Sequence, residues 1–469
     1  MKSKLEKVVD GFESVKNNLF FRSVRDGMVM ALPILMVGSI AVMLGNLPFP
    51  GYKDFITTFA KGSISIFLNF IQNATFGILS VYITLTISIG LINNLNCTRY
   101  RIPAVLSAIS VFFIFEGIFQ ATYDYSFLGA KGMFSAIIAG FCATYLFVTL
   151  SRLMKKIIEF HSGSTDSIFT EAMNGIIPFV ITIVCNALFN LIFVLAFNVN
   201  GFNEAFVVLA RFIFHNLGTT FFSSFLFLFC IHVLWLFGIH GNNVMEPVAE
   251  SLFLFDGQNF LCKPLFDVFC LAGGSGATWC YILAVLIFCK RKRDKKLEYL
   301  AILPSIFNIN ELVVFGTPVI FNPVLAVPFV LTPLLFLCTT YFFYRIGFLT
   351  KLNPVEWTTP YFLSGYFTTG SWRGVLVQFI NLVLGTGLYF PFVKINEKLR
   401  SNSVNSSIDA LVKLMQESEK TLSPANLTNG TSNLNIAAKY LSDDLKKDLD
   451  DKKLRVYYQG QYKKDGTCL

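Results

Sequence analysis

The sequence predicts an all-α polytopic membrane protein with about ten transmembrane helices and a short soluble tail. Of its 469 residues, 54% are hydrophobic and only 14% are charged, whereas a soluble domain has about 25% charged residues. A helix needs roughly 20 apolar residues to cross a bilayer. Stretches of that length without Asp, Glu, Lys or Arg are 27–52, 62–98, 132–151, 177–203, 221–245, 268–289, 319–344 and 374–393. This pattern excludes a soluble enzyme, a disordered chain and a disulfide scaffold.

The N-terminal segment, residues 1–26, is polar and mixed in charge, and the apolar run after it has full length. We therefore expect an uncleaved first span and no signal peptide. The formal net charge is +9, and in so apolar a chain it indicates cytoplasmic loops at a lipid bilayer, not nucleic-acid binding. The basic clusters predicted to face the cytoplasm are 2–25, 99–101, 152–156 and 290–296.

Counting the crossings tests this orientation. From a cytoplasmic N-terminus, spans at 27–46, 70–95, 102–120 and 132–151 return the chain to the inside at Arg152. Spans at 177–199, 221–240 and 268–289 then leave the basic run 290–296 outside, which contradicts the positive-inside rule. We therefore predict one hidden crossing within 202–265. With 319–344 and 374–393 the total is ten, and both termini are cytoplasmic.

Two segments have the apolar character of membrane residues but are interrupted by polar side chains, Gly and Pro. They are 237–262 (FGIHGNNVMEPVAESLFLFDGQNFLC) and 298–318 (EYLAILPSIFNINELVVFGTP). Irregular backbone at membrane depth is tolerated where it is buried in protein or lines a cavity. A pair of such interrupted segments points to the binding site of a transporter.

The candidate site residues come from these two segments and the glycine-rich run 273–276. An ionisable group at membrane depth is a functional candidate by default, which singles out Glu311. A structural network of Glu311 with Asn308 and Asn310 is the alternative. His240 and Asn242 lie among glycines that permit close approach to a ligand, and a structural histidine is the alternative for His240. Gly274 and Ser275 open a helix. They suit the binding of a hydroxyl or an anion at the helix start, or else the close packing of helices.

Trp235 and Trp357 lie near these polar clusters. An indole face suits the apolar face of a sugar, although the interfacial aromatic belt of membrane proteins is an alternative for each. The ten cysteines include no C-x-x-C pair, and the four histidines form no ligand cluster. We therefore predict no metal site and no cofactor, and interpret the cysteines as buried small hydrophobic residues.

Several motifs together resemble the membrane permease, enzyme IIC, of the bacterial sugar phosphotransferase system, in its lactose/cellobiose/diacetylchitobiose family. They are LFGIHGNN at 236–243, LAGGSGAT at 271–278, PSIFNINELVVFGTPVIFNP at 304–323 and EWTTPYFLSGYFTTGSWRG at 356–374. The resemblance covers residues 10–400. It implies ten transmembrane helices, two re-entrant hairpins and a homodimer formed through the N-terminal half, in the bacterial inner membrane.

The resemblance also implies roles for the candidate residues. His240 and Glu311 would bind the sugar, and Glu311 would act as general base at its 6-hydroxyl when a phosphorylated IIB protein delivers phosphate. Trp235 and Trp357 would contact the sugar, with Asn242, Asn308, Asn310, Gly274 and Ser275 as further binding residues. IIA would act upstream of IIB, and both would be separate chains. Leu312 departs from the family, which usually has Pro after N-I-N-E, and this predicts a less rigid hairpin tip.

The C-terminal segment 443–469 resembles the opening helix and first strand of an EAL-type cyclic-di-GMP phosphodiesterase domain, with Gly460 in place of the usual Pro. The predicted domains are a cytoplasmic segment at 1–26, a dimerisation domain at 27–200, a sugar-site domain at 201–396, a polar linker at 397–435 and a truncated EAL-like start at 436–469.

Three functions remain open from the sequence. The first is a permease that imports and phosphorylates a sugar, with a β-linked disaccharide favoured by the resemblance. The second is a membrane sugar sensor of permease fold that regulates a C-terminal cyclic-di-GMP phosphodiesterase domain. The third is an ion-coupled transporter that needs no phosphoryl donor.

Overall fold

A computed structural model describes residues 18–49, 51–118, 124–155, 167–215, 217–237, 239–257, 259–289, 295–317, 319 and 322–418. Every regular element within these ranges is helical. The helices are α1 (Leu19–Gly45), α2 (Tyr52–Thr58), α3 (Ser63–Thr75), α4 (Leu79–Asn94), α5 (Arg101–Glu116), α6 (Met133–Met154), α7 (Ser167–Phe197), α8 (Phe202–His215), α9 (Phe221–Leu236), α10 (Gly241–Leu252), α11 (Lys263–Leu265), α12 (Thr278–Phe288), α13 (Lys296–Ile306), α14 (Glu311–Gly316), α15 (Pro323–Arg345), α16 (Leu363–Thr369) and α17 (Trp372–Ser418).

The all-helical membrane class is confirmed in the part of the chain that the structure describes. Seven helical segments there are long and apolar enough to cross a membrane: Leu19–Gly45, Tyr52–Asn94, Thr98–Glu116, Ala130–Met154, Ala172–Phe197, Pro323–Arg345 and Trp372–Leu399. Helices α9 and α12 are apolar but have only 16 and 11 residues, which is short of the roughly 20 that a crossing needs. The count of ten crossings stays a prediction.

The N-terminal half has its own hydrophobic core, formed by α1, α4, α5 and α6. Small residues bring these helices close together, as is common in membranes. A Cβ on Gly27 of α1 would lie 2.6 Å from the side chain of Ile87 in α4, so this crossing requires glycine. Three chain segments meet at one end of this core, because Arg152 donates to the Leu95 carbonyl at 2.8 Å and Asn94 donates to Asp26 at 3.2 Å.

The C-terminal half has a second core, built mainly from α9, α12, α15 and α17. The charge-free stretch 268–289, predicted as one span, is divided in the structure. A π-helical turn at Phe266–Cys270 comes first, a glycine-rich turn follows, and α12 begins only at Thr278. Four of the five positions 273–277 explain the break, because Gly273, Gly274, Gly276 and Ala277 all have positive φ, which a helix does not accommodate.

The two interrupted segments lie where the two cores meet. In the first, the chain breaks after α9 and resumes as α10; in the second, it breaks after α13 and resumes as the short α14. Val244 of α10 belongs to the N-terminal core, although α10 follows directly from α9 of the C-terminal core. Phe315 of α14 packs against both cores. The broken ends of both segments are thereby held by buried apolar contacts on two sides.

The chain divides into two compact units, Met1–Val393 and Lys394–Leu469. Of the second unit, the structure describes helical residues up to Ser418, as the last part of α17. The first part of the segment predicted as a polar linker, 397–435, is therefore helical. The EAL-like segment 436–469 and its predicted helix and strand lie outside the described residues.

Candidate sugar-binding site

His240 marks the start of α10. Its ring nitrogen Nδ1 accepts a hydrogen bond from the main-chain N–H of Asn243 at 3.4 Å, and so it caps the helix as a short polar side chain would. With Nδ1 as acceptor, the neutral ring carries its proton on Nε2. Gly241 is required next, because a Cβ there would lie 2.0 Å from the carbonyl oxygen of Ile231. This close approach fixes the direction in which the imidazole leaves the backbone.

Trp235, near the end of α9, is the aromatic partner of this histidine. Its ring centroid lies 4.3 Å from that of His240, and its indole N–H donates to Oδ1 of Asn242 at 3.0 Å. The side chain is almost fully buried, with 1% of its surface exposed. A buried indole N–H normally has a partner, and here Asn242 supplies it. Trp235 therefore lies inside the polar cluster and not in an interfacial belt.

Asn242 connects the first interrupted segment to the glycine-rich turn. Its Oδ1 also accepts from the Ser275 hydroxyl at 2.5 Å. The main-chain carbonyl of Ser275 in turn accepts from Nδ2 of Asn310, at 2.9 Å, in the second interrupted segment. A single chain of side-chain hydrogen bonds thus runs through all three candidate segments, and such a network favours one arrangement of the residues that compose it.

The glycine-rich turn lies against the second interrupted segment. A Cβ on Gly274, whose φ is +98°, would lie 2.7 Å from both the Asn308 carbonyl oxygen and the Asn310 side chain. A Cβ on Gly276 would lie 2.1 Å from the ring of Phe329. The glycines thus allow the turn to pack closely against the second interrupted segment and against α15; the binding of a hydroxyl or anion here stays a prediction.

Asn308 joins three parts of the site. It has φ +61°, a conformation that asparagine tolerates better than most residues. Its Oδ1 accepts from the Gly273 N–H at 3.0 Å, and its Nδ2 donates to the carbonyls of Trp357 at 2.6 Å and Thr359 at 3.3 Å. Both N–H donors of this amide and one lone pair of its oxygen thus bond to neighbouring backbone groups.

Glu311 opens α14 and faces His240. Its Oε1 lies 3.9 Å from Nε2 of the histidine, which is beyond hydrogen-bonding distance. The carboxylate is 8% exposed, and its Oε2 is buried without a hydrogen-bond partner among the described residues. A buried carboxylate oxygen without a donor is costly. The structural alternative, a network of Glu311 with Asn308 and Asn310, is not what the structure has, because both amides bond elsewhere.

All the predicted site residues lie within this set of contacts, but two of them take part in an unexpected way. Trp357 joins through its main-chain carbonyl, and its ring is 41% exposed. Gly274 joins through the close approach described above. Leu312, the departure from the family pattern, is partly buried against the C-terminal core. Within the described residues, no group of three or more His, Cys, Asp or Glu side chains could hold a metal ion.

Sequence reasoning missed a charged group beside Asn242. Lys263 forms an ion pair with Glu246, and both line a pocket with Asn242 and Asp267. The rest of that pocket is apolar. The sequence did contain a signal for this group, because Glu246 follows Asn242 by four residues and so lies on the same face of α10. A second residue missed was Gln378, an amide within the charge-free stretch 374–393.

The site brings together a carboxylate acceptor, an imidazole N–H donor, several amides and the buried indole of Trp235 where the two cores meet. Acceptors and donors placed beside aromatic surface match a ligand with many hydroxyl groups. A helical membrane domain with such a site between paired interrupted segments is a transporter.

Comparison with known proteins identifies the family. Residues 25–333 match the family model of the phosphotransferase system, EIIC. The PTS system oligo-beta-mannoside-specific EIIC component of Bacillus subtilis (strain 168) is 29% identical over 82% of this chain and 91% of that protein. The PTS system cellobiose-specific EIIC component of Geobacillus stearothermophilus is 27% identical over 81% of this chain and 90% of that protein.

A solved structure supports the same assignment. The crystal structure of ChbC, the IIC component of the N,N'-diacetylchitobiose-specific phosphotransferase system, is similar with a TM-score of 0.51 and 26% identity. The match covers 82% of this chain and 95% of that one. The chain belongs to the phosphotransferase system EIIC family, as the sequence motifs indicated, and is a multi-pass membrane permease component of that system.

Proposed function

We propose that this permease binds a β-linked disaccharide between its two interrupted segments and moves it across the inner membrane, coupled to phosphorylation of the sugar by a separate IIB protein. The substrates named for its relatives, oligo-β-mannoside, cellobiose, lactose and N,N'-diacetylchitobiose, support a β-glycoside. A relative from Streptococcus mutans named as an EIICB component supports a IIB partner, being 26% identical over 87% of this chain. IIA would supply phosphate to IIB.

The observation that carries this proposal is the pairing of Glu311 with His240. Their nearest polar atoms lie 3.9 Å apart, and the second carboxylate oxygen of Glu311 is buried without a partner among the described residues. A sugar hydroxyl can donate to the carboxylate while it accepts from the imidazole Nε2–H. Such a hydroxyl would supply the Glu311 carboxylate with a donor that the described residues do not give it, which favours binding of hydroxyl groups.

Glu311 would also serve the phosphoryl transfer. The carboxylate takes the proton of the 6-hydroxyl as the sugar oxygen attacks the phosphorus of phosphorylated IIB. The new O–P bond forms while the bond from phosphorus to its IIB carrier breaks, and the carrier leaves with that electron pair. The imidazole of His240 holds the hydroxyl in line for this attack. Trp235 and Trp357 would contact the apolar faces of the two sugar rings.

The N-terminal domain, 27–200, would form a homodimer. Helix α7 supports this, because many of its large side chains are exposed and apolar along most of its length, among them Ile176, Val180, Val184 and Leu188. Both termini would be cytoplasmic. Support comes from Arg152, which bonds to Leu95 at the end of the N-terminal core where Asn94 bonds to Asp26, and from Arg99 and Arg101 a few residues further along the chain.

Transport by proteoliposomes tests the function. The full chain is reconstituted, the vesicle lumen contains phosphorylated IIB, and uptake of radiolabelled cellobiose, lactose and N,N'-diacetylchitobiose is followed. We expect accumulation of sugar phosphate for at least one disaccharide, only with the phosphoryl donor present. Uptake that follows an ion gradient and needs no donor would contradict the proposal and favour an ion-coupled transporter.

The sensor alternative is motivated by the resemblance of 443–469 to an EAL-type domain and by Leu312. It predicts disaccharide binding without transport in the same vesicles, with sugar phosphate absent. Sustained uptake with accumulation of sugar phosphate would exclude a pure sensor.

A further inference from the structure

Gln378 of α17 joins three chain segments that surround the site. Its side chain is fully buried. Oε1 accepts from the Phe362 N–H at 2.9 Å, and Nε2 donates to the Val268 carbonyl at 2.8 Å and to Oγ of Ser364 at 3.0 Å. Both amide protons and one acceptor lone pair are thus used, in a region where an unpaired amide would be costly.

One bond of Gln378 holds the approach to the glycine-rich turn. Val268 lies in the π-helical turn Phe266–Cys270. If that π-helix continued, the Val268 carbonyl would accept from the N–H of Gly273, five residues on. The Gly273 N–H instead donates to Asn308, and the Val268 carbonyl accepts from Gln378. Where the chain leaves the π-helix for the turn, the Gly273 N–H and the Val268 carbonyl are therefore no longer each other's partners. Asn308 accepts from the first, and Gln378 donates to the second.

The other bonds of Gln378 hold the segment that starts at Trp357. Phe362 has φ +73°, which is strained for a residue with a side chain. Its N–H is fixed by Gln378, and the Tyr361 hydroxyl donates to the Gln378 carbonyl at 3.3 Å. Gly365 makes room for the amide, because a Cβ there would lie 2.2 Å from Oε1. The strain at Phe362 persists because these contacts leave no other arrangement for the segment.

We infer that Gln378 is a positioning residue for sugar binding: it sets the distance between the Trp357 segment and the glycine-rich turn. Asn308 bonds to Gly273 and Trp357 in these two segments, and Gln378 bonds at a second, fully buried place to Val268, which precedes the turn, and to Phe362. Gln378 has no place in the cluster of Glu311 and His240, so it acts through the backbone geometry of others. This inference rests on the proposed function of the site.

The test compares two buried amides of one helix. Gln378→Met keeps the length of the side chain and removes its hydrogen bonds. The control is Asn381→Leu, because Asn381 is also fully buried, lies three residues further along α17, and bonds only to Thr339 and Thr340 of α15 among the described residues. Both variants lose buried hydrogen bonds, but only the first loses contacts to the site segments.

The protein is labelled with 5-fluorotryptophan, and the Trp357 resonance is assigned with Trp357→Phe. Disaccharide affinity is measured by calorimetry with cellobiose, lactose and N,N'-diacetylchitobiose. We expect Gln378→Met to raise Kd by about tenfold, the equivalent of one to two buried hydrogen bonds, and to shift the Trp357 fluorine resonance. Asn381→Leu should leave that resonance in place and change Kd less than about twofold.

If Gln378→Met does not fold, Gln378→Asn provides the same comparison. The shorter amide stays polar and uncharged but cannot reach Phe362 and Val268 together, so we expect an intermediate rise in Kd and a shift of the Trp357 resonance. An unchanged Kd and an unchanged resonance in either folded variant would overturn the inference. Failure of the wild-type protein to bind any of the three disaccharides would instead overturn the proposed function.

Discussion

The side-chain nitrogen of Asn308 donates to the main-chain carbonyl of Trp357 across 2.6 Å, while the oxygen of the same amide accepts from the N–H of Gly273. The three residues come from three segments that are remote in sequence. One amide thereby holds two backbone segments at a fixed separation, and its own φ of +61° directs it between them. The separation of the glycine-rich turn and the Trp357 segment is therefore set in part by this one side chain.

Replacing Asn308 by Gly should weaken sugar binding while the backbone conformation survives. Glycine adopts φ +61° without strain, so the loss is that of three hydrogen bonds to Gly273, Trp357 and Thr359. At about 1 kcal/mol for each bond, we expect Kd for a disaccharide to rise by at least about tenfold. Calorimetric titration of the purified protein measures this change.

Asn308→Ala separates backbone strain from lost contacts. It loses the same bonds as Asn308→Gly, but the left-handed conformation costs a further ~1 kcal/mol with a Cβ and no polar group. We expect it to melt below the glycine variant and to bind no better. Wild-type affinity in Asn308→Gly would show that the Trp357 and glycine segments hold their separation without this amide.

Gly274→Ala should reduce both stability and sugar affinity. A Cβ at this position meets the Asn308 carbonyl and the Asn310 side chain at 2.7 Å, so the tip that carries Glu311 must shift. Gly347→Ala is the matched control, because φ there is +72° but nothing lies within 4 Å of the added Cβ. It carries the conformational penalty without the clash.

Thermal unfolding and disaccharide titration of the two glycine variants give the comparison. We expect both to melt below wild type, and only Gly274→Ala to lose more than about tenfold in affinity. Equal affinities in the two variants would mean that the site tolerates displacement of the second interrupted segment.

Much of the site could be predicted from polarity alone. In a chain with long charge-free stretches, Glu311 and His240 stand out because each lies in an apolar segment, where an ionisable side chain is energetically costly. The glycine run also stands out, since its residues cannot be explained by helix formation. The sequence therefore identifies the segments that meet, and the structure places their residues in one network.

The pattern could not predict how the residues are connected. Nothing in the spacing of Trp235 and Asn242 indicates that the indole N–H donates to that amide. Gln378 lies in the charge-free stretch 374–393, which the sequence predicts only as a span, and its role depends on contacts to residues 110 and 16 positions away. The division of 268–289 was likewise hidden, because apolar residues on both sides of the turn give one continuous hydrophobic stretch.

Glu311→Gln should slow phosphorylation by at least about a hundredfold while leaving binding nearly intact. The amide keeps an acceptor and the volume of the side chain, but it cannot take the proton of the attacking hydroxyl. General base catalysis typically contributes about 10²–10⁴-fold, so we expect a loss in that range in the rate of sugar phosphate formation with phosphorylated IIB. Disaccharide Kd should change less than about tenfold.

The exposed Asp54→Asn variant controls for the change of carboxylate to amide, since Asp54 lies in α2, far along the chain from the site segments. It should phosphorylate at the wild-type rate. A Glu311→Gln protein that phosphorylates sugar as fast as Asp54→Asn would remove Glu311 from the chemistry and leave it as a binding residue at most.

Trp235→Phe should weaken sugar binding by removing one hydrogen bond inside the network. The phenyl ring still fills most of the buried site beside His240, but the donor to Asn242 is lost, and Oδ1 of that amide keeps only the Ser275 hydroxyl. A single lost bond of about 1 kcal/mol corresponds to a rise in Kd of about fivefold. Trp372→Phe, at an indole that is 62% exposed, should bind as wild type does.

A double-mutant cycle tests how Trp235 acts. If Trp235 acts through Asn242, the effect of Trp235→Phe on Kd should disappear in an Asn242→Ala background. An effect that is the same in both backgrounds would mean that the indole contributes through its ring alone.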